Sequence, residues 1–260
     1  MTGWFGRWRR ARAVERQAIP DPLWMRVVSR FSFLRTLPAA DQRRLRELVS
    51  LFLDRKPVSG AGGLQMTREM QVIIAAQACL LVLNLDLDLY DDWVEVIVYP
   101  DRFVTEHEYM SEDGVLHRVR APLSGEAWEQ GPVILSWVDA QAADGGDGYN
   151  VVLHEFAHKI DMRNGAANGF PPLHADMDRK AWSDAFGAAF ENFRARTERR
   201  DDSRIDSYAA EHPAEFFAVL SEAFFEMPDA VRTEYPEVYR QLAAFYRQDP
   251  LVRGINGGNA

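Results

Sequence analysis

The stretch "VVLHEFAHKIDMRNG", residues 151–165, has the most distinctive residue pattern in the chain. Its apolar residues recur at helical spacing, and Asn150, directly before it, is a residue type that favours the N-cap of a helix. His154 and His158 are four positions apart, so on an α-helix their imidazoles lie on one face. The stretch therefore predicts a helix from residue 151 that presents two histidines side by side.

This histidine spacing suits a metal ion. Two imidazoles on one helical face can both reach a single zinc ion at about 2.0–2.1 Å. Glu155 is rotated by about 100° around the helix, so it can reach a water on the metal more easily than the metal itself. Two histidine ligands and a glutamate base form the pattern of zinc hydrolases, in which the glutamate takes a proton from water and delivers it to the leaving amine. Lys159 departs from the uncharged residue that is commoner at this position.

The third ligand is not fixed by the pattern. A catalytic zinc normally takes three protein ligands and leaves one position open. A histidine six residues beyond His158 is excluded, because position 164 is Asn. A glutamate from a later helix is the remaining solution, with His174 as a weaker alternative. Spacing does not choose among the available glutamates, which are Glu191, Glu211, Glu215, Glu222 and Glu226.

Composition excludes several classes of protein. Of the 260 residues, 47% are hydrophobic and 12% aromatic, which is typical of a folded globular protein. The net charge of −9 provides no positive field, so we expect no direct nucleic-acid binding. Cys79, the single cysteine, lies in an apolar run, where a buried inert thiol and a reducing compartment are expected. The longest apolar stretch, 72–83, is shorter than the roughly 20 residues of a membrane span, so we expect a cytoplasmic protein.

The order of elements predicts an α+β fold that is mostly helical, with a small mixed sheet beside the helix that carries His154. Strand patterns occur in three segments, which are 93–100, 114–121 and 131–140. Residues 58–66 are predicted as a glycine-rich connection and 141–150 as a loop. Helical patterns cover 22–53 with a break near Pro38, a buried helix capped by Thr67, 151–161, about 175–198, 213–226 and finally 236–246.

The domain organisation is predicted to be one compact unit with three parts. Residues 1–20 are expected to form a basic, mobile tail, because they contain Arg7, Arg9, Arg10 and Arg12. Residues 21–90 are expected to form a helical N-terminal lobe. Residues 91–260 are expected to form the lobe with the chemistry.

Two motifs carry a resemblance to a known family. The runs "HEFAHKIDMRNG" (154–165) and "IDSYAAEHPAEFFAVLSEAFF" (205–225) resemble the Mlc titration factor A family of zinc metallopeptidases. The upstream segments 63–85 and "GPVILSW" (131–137) are similar to that family too. The resemblance covers most of the chain, from about residue 45 to 225.

The catalytic end also resembles the protease domain of anthrax lethal factor. There a tyrosine precedes the glutamate ligand by seven residues, and Tyr208 and Glu215 have that separation here. Together these resemblances imply a zincin-like fold, in which His154, His158 and Glu215 bind one Zn²⁺ and Glu155 is the base. They imply that Tyr208 donates a hydrogen bond to the oxyanion of the tetrahedral intermediate.

The resemblance implies a cytoplasmic, aminopeptidase-like enzyme that acts on a peptide or protein substrate. Family members are described as sequestering a glucose-responsive transcriptional repressor, Mlc, and so affecting glucose-uptake genes. The alternative for this chain is therefore a non-enzymatic, repressor-sequestering protein with an auxiliary zinc site.

Two further carboxylates remain open at this point. Asp161 lies on the same helical side as His158 and either orients a ligand histidine or caps the local turn. Glu222 could likewise orient a ligand histidine, but a solvated or structural carboxylate is the expectation.

Overall fold

The computed structural model describes residues 4–110, 116–123, 125–127, 131–142, 146 and 148–256. Within these ranges the helices are α1 (Trp4–Arg16), α2 (Asp21–Arg30), α3 (Ser32–Arg35), α4 (Ala39–Arg55), α5 (Arg68–Leu81), α6 (Trp137–Ala142), α7 (Val151–Asp161), α8 (Arg179–Arg199), α9 (Pro213–Glu226), α10 (Pro228–Glu234), α11 (Pro236–Tyr246) and α12 (Pro250–Asn256). The strands are β1 (Val58–Gly60), β2 (Val96–Tyr99), β3 (Phe103–Met110), β4 (Leu116–Leu123), β5 (Gly125–Ala127) and β6 (Val133–Ser136). The predicted α+β class, mostly helical with a small sheet, is confirmed.

The main sheet is mixed and has the strand order β1-β2-β6-β5. β2 pairs in parallel with both β1 and β6, while β5 pairs antiparallel with β6, with Gly125 opposite Leu135. β3 and β4 form a separate antiparallel pair. The sheet lies beside the helix that carries the histidines, because β5 and β6 both contact α7.

Strand prediction was incomplete in this region. β1 lies in the segment predicted as a glycine-rich connection, and neither β3 nor β5 was predicted. The predicted strand 131–140 ends at Ser136, whose hydroxyl accepts a hydrogen bond from the Asp139 amide at 3.4 Å and so caps the first turn of α6. The apolar run continues through this boundary, so periodicity does not mark the change. The predicted loop 141–150 lies partly outside the described residues.

The core around α7 is built by helices whose sequences are apolar on almost every side. In α5 the residues from Val72 to Leu81 are all buried, and Thr67 caps the helix as predicted, accepting from the Met70 amide at 3.2 Å. Phe156 projects from α7 into an aromatic cluster with ring centroids 5.2–5.8 Å away, formed by Phe52, Tyr90 and Trp93. This packing fixes the apolar face of α7 and leaves its histidine face toward α9.

The N-terminal segment differs from the expected tail. Residues 4–16 form α1, which packs on α4 and buries Ala13. Arg16 binds Asp54 through two hydrogen bonds of 2.8 and 3.0 Å. The boundaries at 21–90 and 91–260 stay predictions. Within the described part of the chain, no helix combines the length and apolar character that crossing a bilayer requires.

The C-terminal third contains two short helices that the sequence patterns did not predict. These are α10 and α12, and each has only seven residues, too few to show a helical period. Each of the helices from α9 to α12 begins with a proline. The missing amide hydrogen breaks no helical hydrogen bond there, because the first amides of a helix have no partner within it. α8 begins at Arg179, four residues later than predicted, because the Asp178 carboxylate caps its first turn.

Candidate metal centre

The helix α7 positions both histidines. The Asn150 side chain accepts a hydrogen bond from the Leu153 amide at 3.0 Å and so caps the helix, as predicted. The two imidazoles lie on the side of α7 that faces α9. Their ring centroids are 4.7 Å apart, so the two side chains are in contact, one turn apart.

A carboxylate from α9 completes a triangle of ligand atoms. The Glu215 Oε2 atom lies 3.0 Å from His154 Nε2 and 3.2 Å from His158 Nε2, and the two Nε2 atoms are 3.1 Å apart. Among the described residues this is the one group of histidine, cysteine and acidic side chains whose ligand atoms could share a metal ion.

The triangle fits a zinc ion. Ligands in a tetrahedron with bonds of about 2.0–2.1 Å are roughly 3.3–3.4 Å apart, close to the observed separations. Lone pairs on two imidazole nitrogens and a carboxylate repel one another at 3 Å unless a proton or a cation lies between them. The donor set of two histidines and one glutamate is also that of catalytic zinc sites that keep one position open.

The other predicted ligand candidates lie elsewhere. Glu191 and Glu211 are exposed, and Glu226 accepts a hydrogen bond from Asn150. His174 donates to the Phe245 carbonyl at 2.8 Å.

Glu222 is not a solvated carboxylate, and the structure favours the alternative considered for it, contact with a ligand histidine. It is 2% exposed, and its Oε1 atom lies 2.6 Å from His154 Nδ1. Glu222 follows Glu215 by seven residues, or about two helical turns, so both carboxylates face α7. An acidic residue inside the apolar run "FFAVLSEAFF" (216–225) is a sequence signal that could have identified it.

Glu155 lies beside the triangle and lines a cavity of about 220 Å³. Its side chain is buried, and burial raises the pKa of the Glu155 carboxyl from 4.5 to about 7, although His154 and His158 lower it. A carboxylate with this pKa can both accept and release a proton near neutral pH.

Tyr208 lines the same cavity. It lies on a 3-10 turn, Ser207–Ala210, whose first residues are held by a hydrogen bond from the Tyr208 amide to Asp206 at 2.9 Å. Its ring centroid is 6.0 Å from that of His154. Burial and then Glu215 raise the pKa of the Tyr208 phenol above 10, so it stays protonated and able to donate a hydrogen bond.

Asp161 supports a loop. Its Oδ2 atom accepts hydrogen bonds from the Asn168 and Gly169 amides at 2.8 and 2.7 Å. Gly169 has φ +77° and packs against the Pro213 carbonyl, where a Cβ atom would lie 2.5 Å from the oxygen. Of the two roles considered for Asp161, these contacts favour local capping, since they tie the end of α7 to the start of α9 next to Glu215.

Replacing Asp161 with Ala is expected to lower the free energy of unfolding by at least about 2 kcal/mol, because two backbone amides lose their acceptor. Chemical denaturation measures this loss. The control is Asp176→Ala, since the Asp176 side chain is 82% exposed and should change stability little. Equal stability of the two variants would contradict the role given to Asp161.

Lys159, which departs from the usual metalloprotease pattern, is part of the core. It is 2% exposed, its ammonium group donates to the Gly131 carbonyl at 2.9 Å, and it lies 5.5 Å from the centre of the Trp93 ring. The buried ammonium group therefore has a carbonyl acceptor and an aromatic ring beside it.

Several known proteins are similar to this chain over most of its length. The chain is 39% identical to "Mlc titration factor A" of Serratia proteamaculans over 223 residues, covering 85% of each chain. It is 38% identical to the protein of that name from Klebsiella pneumoniae, covering 85% of this chain and 84% of the relative. The protein of that name from Escherichia fergusonii is 36% identical, covering 92% of this chain and 91% of the relative.

A family profile described as "Glucose-regulated metallo-peptidase M90" matches residues 5–247, which is nearly the whole chain. This match and the relatives at 36–39% identity agree with the resemblance found in the two sequence motifs. The chain therefore belongs to the glucose-regulated metallo-peptidase M90 family, and its relatives include the proteins called Mlc titration factor A.

Proposed function

We propose that this protein is a zinc-dependent peptidase, with one Zn²⁺ held by His154, His158 and Glu215. The observation that carries the proposal is the triangle of their ligand atoms, 3.0–3.2 Å on each side, next to a buried glutamate that lines a cavity. Membership of a metallopeptidase family supports it.

The catalytic roles follow from position. A zinc ion held by these residues would supply Lewis-acid chemistry, lowering the pKa of a water molecule to about 7 and polarising a carbonyl oxygen. Glu155 accepts a proton from the attacking water and delivers it to the leaving amine. Tyr208, protonated and lining the same cavity, donates a hydrogen bond to the developing oxyanion, a contact worth about 3–4 kcal/mol where such donors have been removed.

The substrate is an extended peptide that pairs with β5. β6 lies between β2 and β5, so it is not an edge strand. Among the described strands, β5 is the one at the sheet edge that contacts α7. Antiparallel addition of a peptide strand there would carry its backbone past Glu155. The cavity of about 220 Å³ beside Glu155 has room for one substrate side chain.

Replacing Gly125 in β5 with Ala is expected to lower kcat by at least about 10-fold while zinc stays bound. A Cβ atom there would lie 2.5 Å from Glu155 Oε1 and 2.6 Å from Val151 Cγ2, so the base must move. Steady-state kinetics and zinc content test this. Gly187→Ala is the control, because that position in α8 has nothing within 4 Å of an added Cβ. An unchanged kcat in Gly125→Ala would show that β5 does not set the position of Glu155.

A second candidate function is sequestration of an Mlc-like transcriptional repressor in the cytoplasm. The name of the relatives, "Mlc titration factor A", supports it. The net charge of −9 is compatible with contact to the basic face of a DNA-binding protein. Binding of purified repressor to Glu155→Gln protein, compared with wild type, separates this function from hydrolysis.

The experiment that tests the peptidase proposal is hydrolysis of an alanine p-nitroanilide and a mixed peptide library by protein with quantified zinc. We expect turnover that depends on one zinc per chain and stops when a chelator removes it. Zinc-loaded protein that cleaves neither substrate would overturn the peptidase proposal and leave repressor binding as the function to pursue.

A further inference from the structure

The metal-facing nitrogen of His154 is selected by a buried carboxylate on α9. Glu222 Oε1 lies 2.6 Å from His154 Nδ1, and an ionised carboxylate can only accept hydrogen bonds. The Nδ1 atom must therefore carry the hydrogen, and in the neutral ring the lone pair is then on Nε2. That is the atom at the corner of the ligand triangle.

The two histidines are held differently. The His158 Nδ1 atom is buried and has no hydrogen-bond partner among the described residues. For His158, the helix backbone and packing against neighbouring side chains must orient the ring. The orientation of His154 depends on a hydrogen bond from outside its own helix.

Glu222 needs both of its oxygens for this arrangement. Its Oε2 atom accepts the Asn150 amide hydrogen while its Oε1 atom accepts from His154. An amide side chain has one oxygen and one NH₂ group, so a glutamine at position 222 would turn one of these contacts into a donor facing a donor. The site therefore distinguishes a carboxylate from its nearly isosteric amide.

Asn150 anchors this pair to the rest of the fold. Its Nδ2 atom donates to Gln77 Oε1 on α5 and to Glu226 Oε1 on α9, both at 2.9 Å. Gln77, fully buried, donates in turn to the Ala140 carbonyl at 3.3 Å. The same asparagine caps α7, so one residue links the start of the histidine helix to α5, α6 and α9.

We propose that Glu222 and Asn150 are positioning residues for the metal centre, which hold His154 with Nε2 toward the metal. Ordered partners of ligand histidines typically contribute about 10–100-fold to metal affinity. The inference rests on the proposed zinc site, and it adds the residues that orient one of the zinc ligands.

The test is the zinc dissociation constant, measured by competition with a chelator. Glu222→Gln is expected to weaken zinc binding by about 10–100-fold. Glu222→Asp keeps two acceptor oxygens and should restore part of the loss. Glu234→Gln is the matched control, because Glu234 is also held by hydrogen bonds and an ion pair, to Arg196 and Ser203, but lies outside this network; its zinc affinity should match wild type.

Folding is checked separately by thermal unfolding in excess chelator. If Glu222→Gln unfolds, the role of Glu222 is tested on zinc-loaded wild-type protein instead. Long-range proton–nitrogen NMR of the histidine rings identifies which nitrogen of His154 carries a proton and which binds the metal. We expect a slowly exchanging Nδ1 proton on His154 and a metal-bound Nε2. A metal-bound Nδ1, or a Glu222→Gln protein with wild-type zinc affinity, would overturn the role of Glu222. Failure of wild type to bind zinc would instead overturn the proposed function.

Discussion

Replacing Glu155 with Gln is expected to lower kcat/KM for peptide hydrolysis by about 10²–10⁴-fold. The amide cannot accept the proton of the attacking water or deliver one to the leaving amine. Glu155 is not one of the three residues whose atoms form the ligand triangle, so the variant should still bind one zinc per chain. Kinetics and zinc content measured on the same preparation test both parts.

The control for this variant is Glu191→Gln. Glu191 is an exposed glutamate on α8, and its side chain retains 71% of its accessible surface. It should keep wild-type activity. Residual activity in Glu155→Gln above about one tenth of wild type, with full zinc occupancy, would mean that another group acts as the base.

Replacing Glu215 with Ala is expected to weaken zinc binding by on the order of 10³-fold. Zinc sites in proteins are worth about 10–16 kcal/mol, so removal of one ligand is expected to cost roughly 3–4 kcal/mol. The Glu215 side chain is 21% exposed, so its loss should leave the fold intact. Equilibrium dialysis measures the affinity, and circular dichroism in excess chelator checks the fold.

Two other glutamates make this prediction specific. Glu191→Ala and Glu211→Ala remove candidates that the sequence could not exclude, and both should bind zinc as wild type does. If Glu215→Ala keeps its zinc while either of these variants loses it, the ligand triangle in the structure is not the metal site.

The sequence predicted the parts of the site that depend on one helix. The positions of His154, Glu155 and His158 follow from helical spacing, and the Asn150 cap follows from residue type. Glu215 lies 57 residues beyond His158, so its approach depends on how α7 and α9 pack. Periodicity could not supply that, and the choice of Glu215 came from resemblance to a family. The position of Glu222 beside His154 depends on the same packing, so the sequence left its role open.

The fold was predictable where an element is long and its apolar residues either lie on one face or fill the whole segment. Thr67 and the apolar residues after it predicted α5, and Pro213 marked the start of α9. The three-residue strands β1 and β5 are stabilised by neighbours distant in sequence, so their own residues carry no signal. The arginine-rich segment of α1 appeared solvated from its charge, but contacts with α4 decide its structure.

The most direct test of the metal centre is a crystal structure of zinc-loaded protein with anomalous diffraction data collected on both sides of the zinc absorption edge. We predict one anomalous peak per chain, within about 2.0–2.2 Å of His154 Nε2, His158 Nε2 and a Glu215 carboxylate oxygen, with no fourth protein ligand. A zinc ion bound elsewhere, or one enclosed by four protein ligands, would contradict the assignment of a catalytic zinc to these residues.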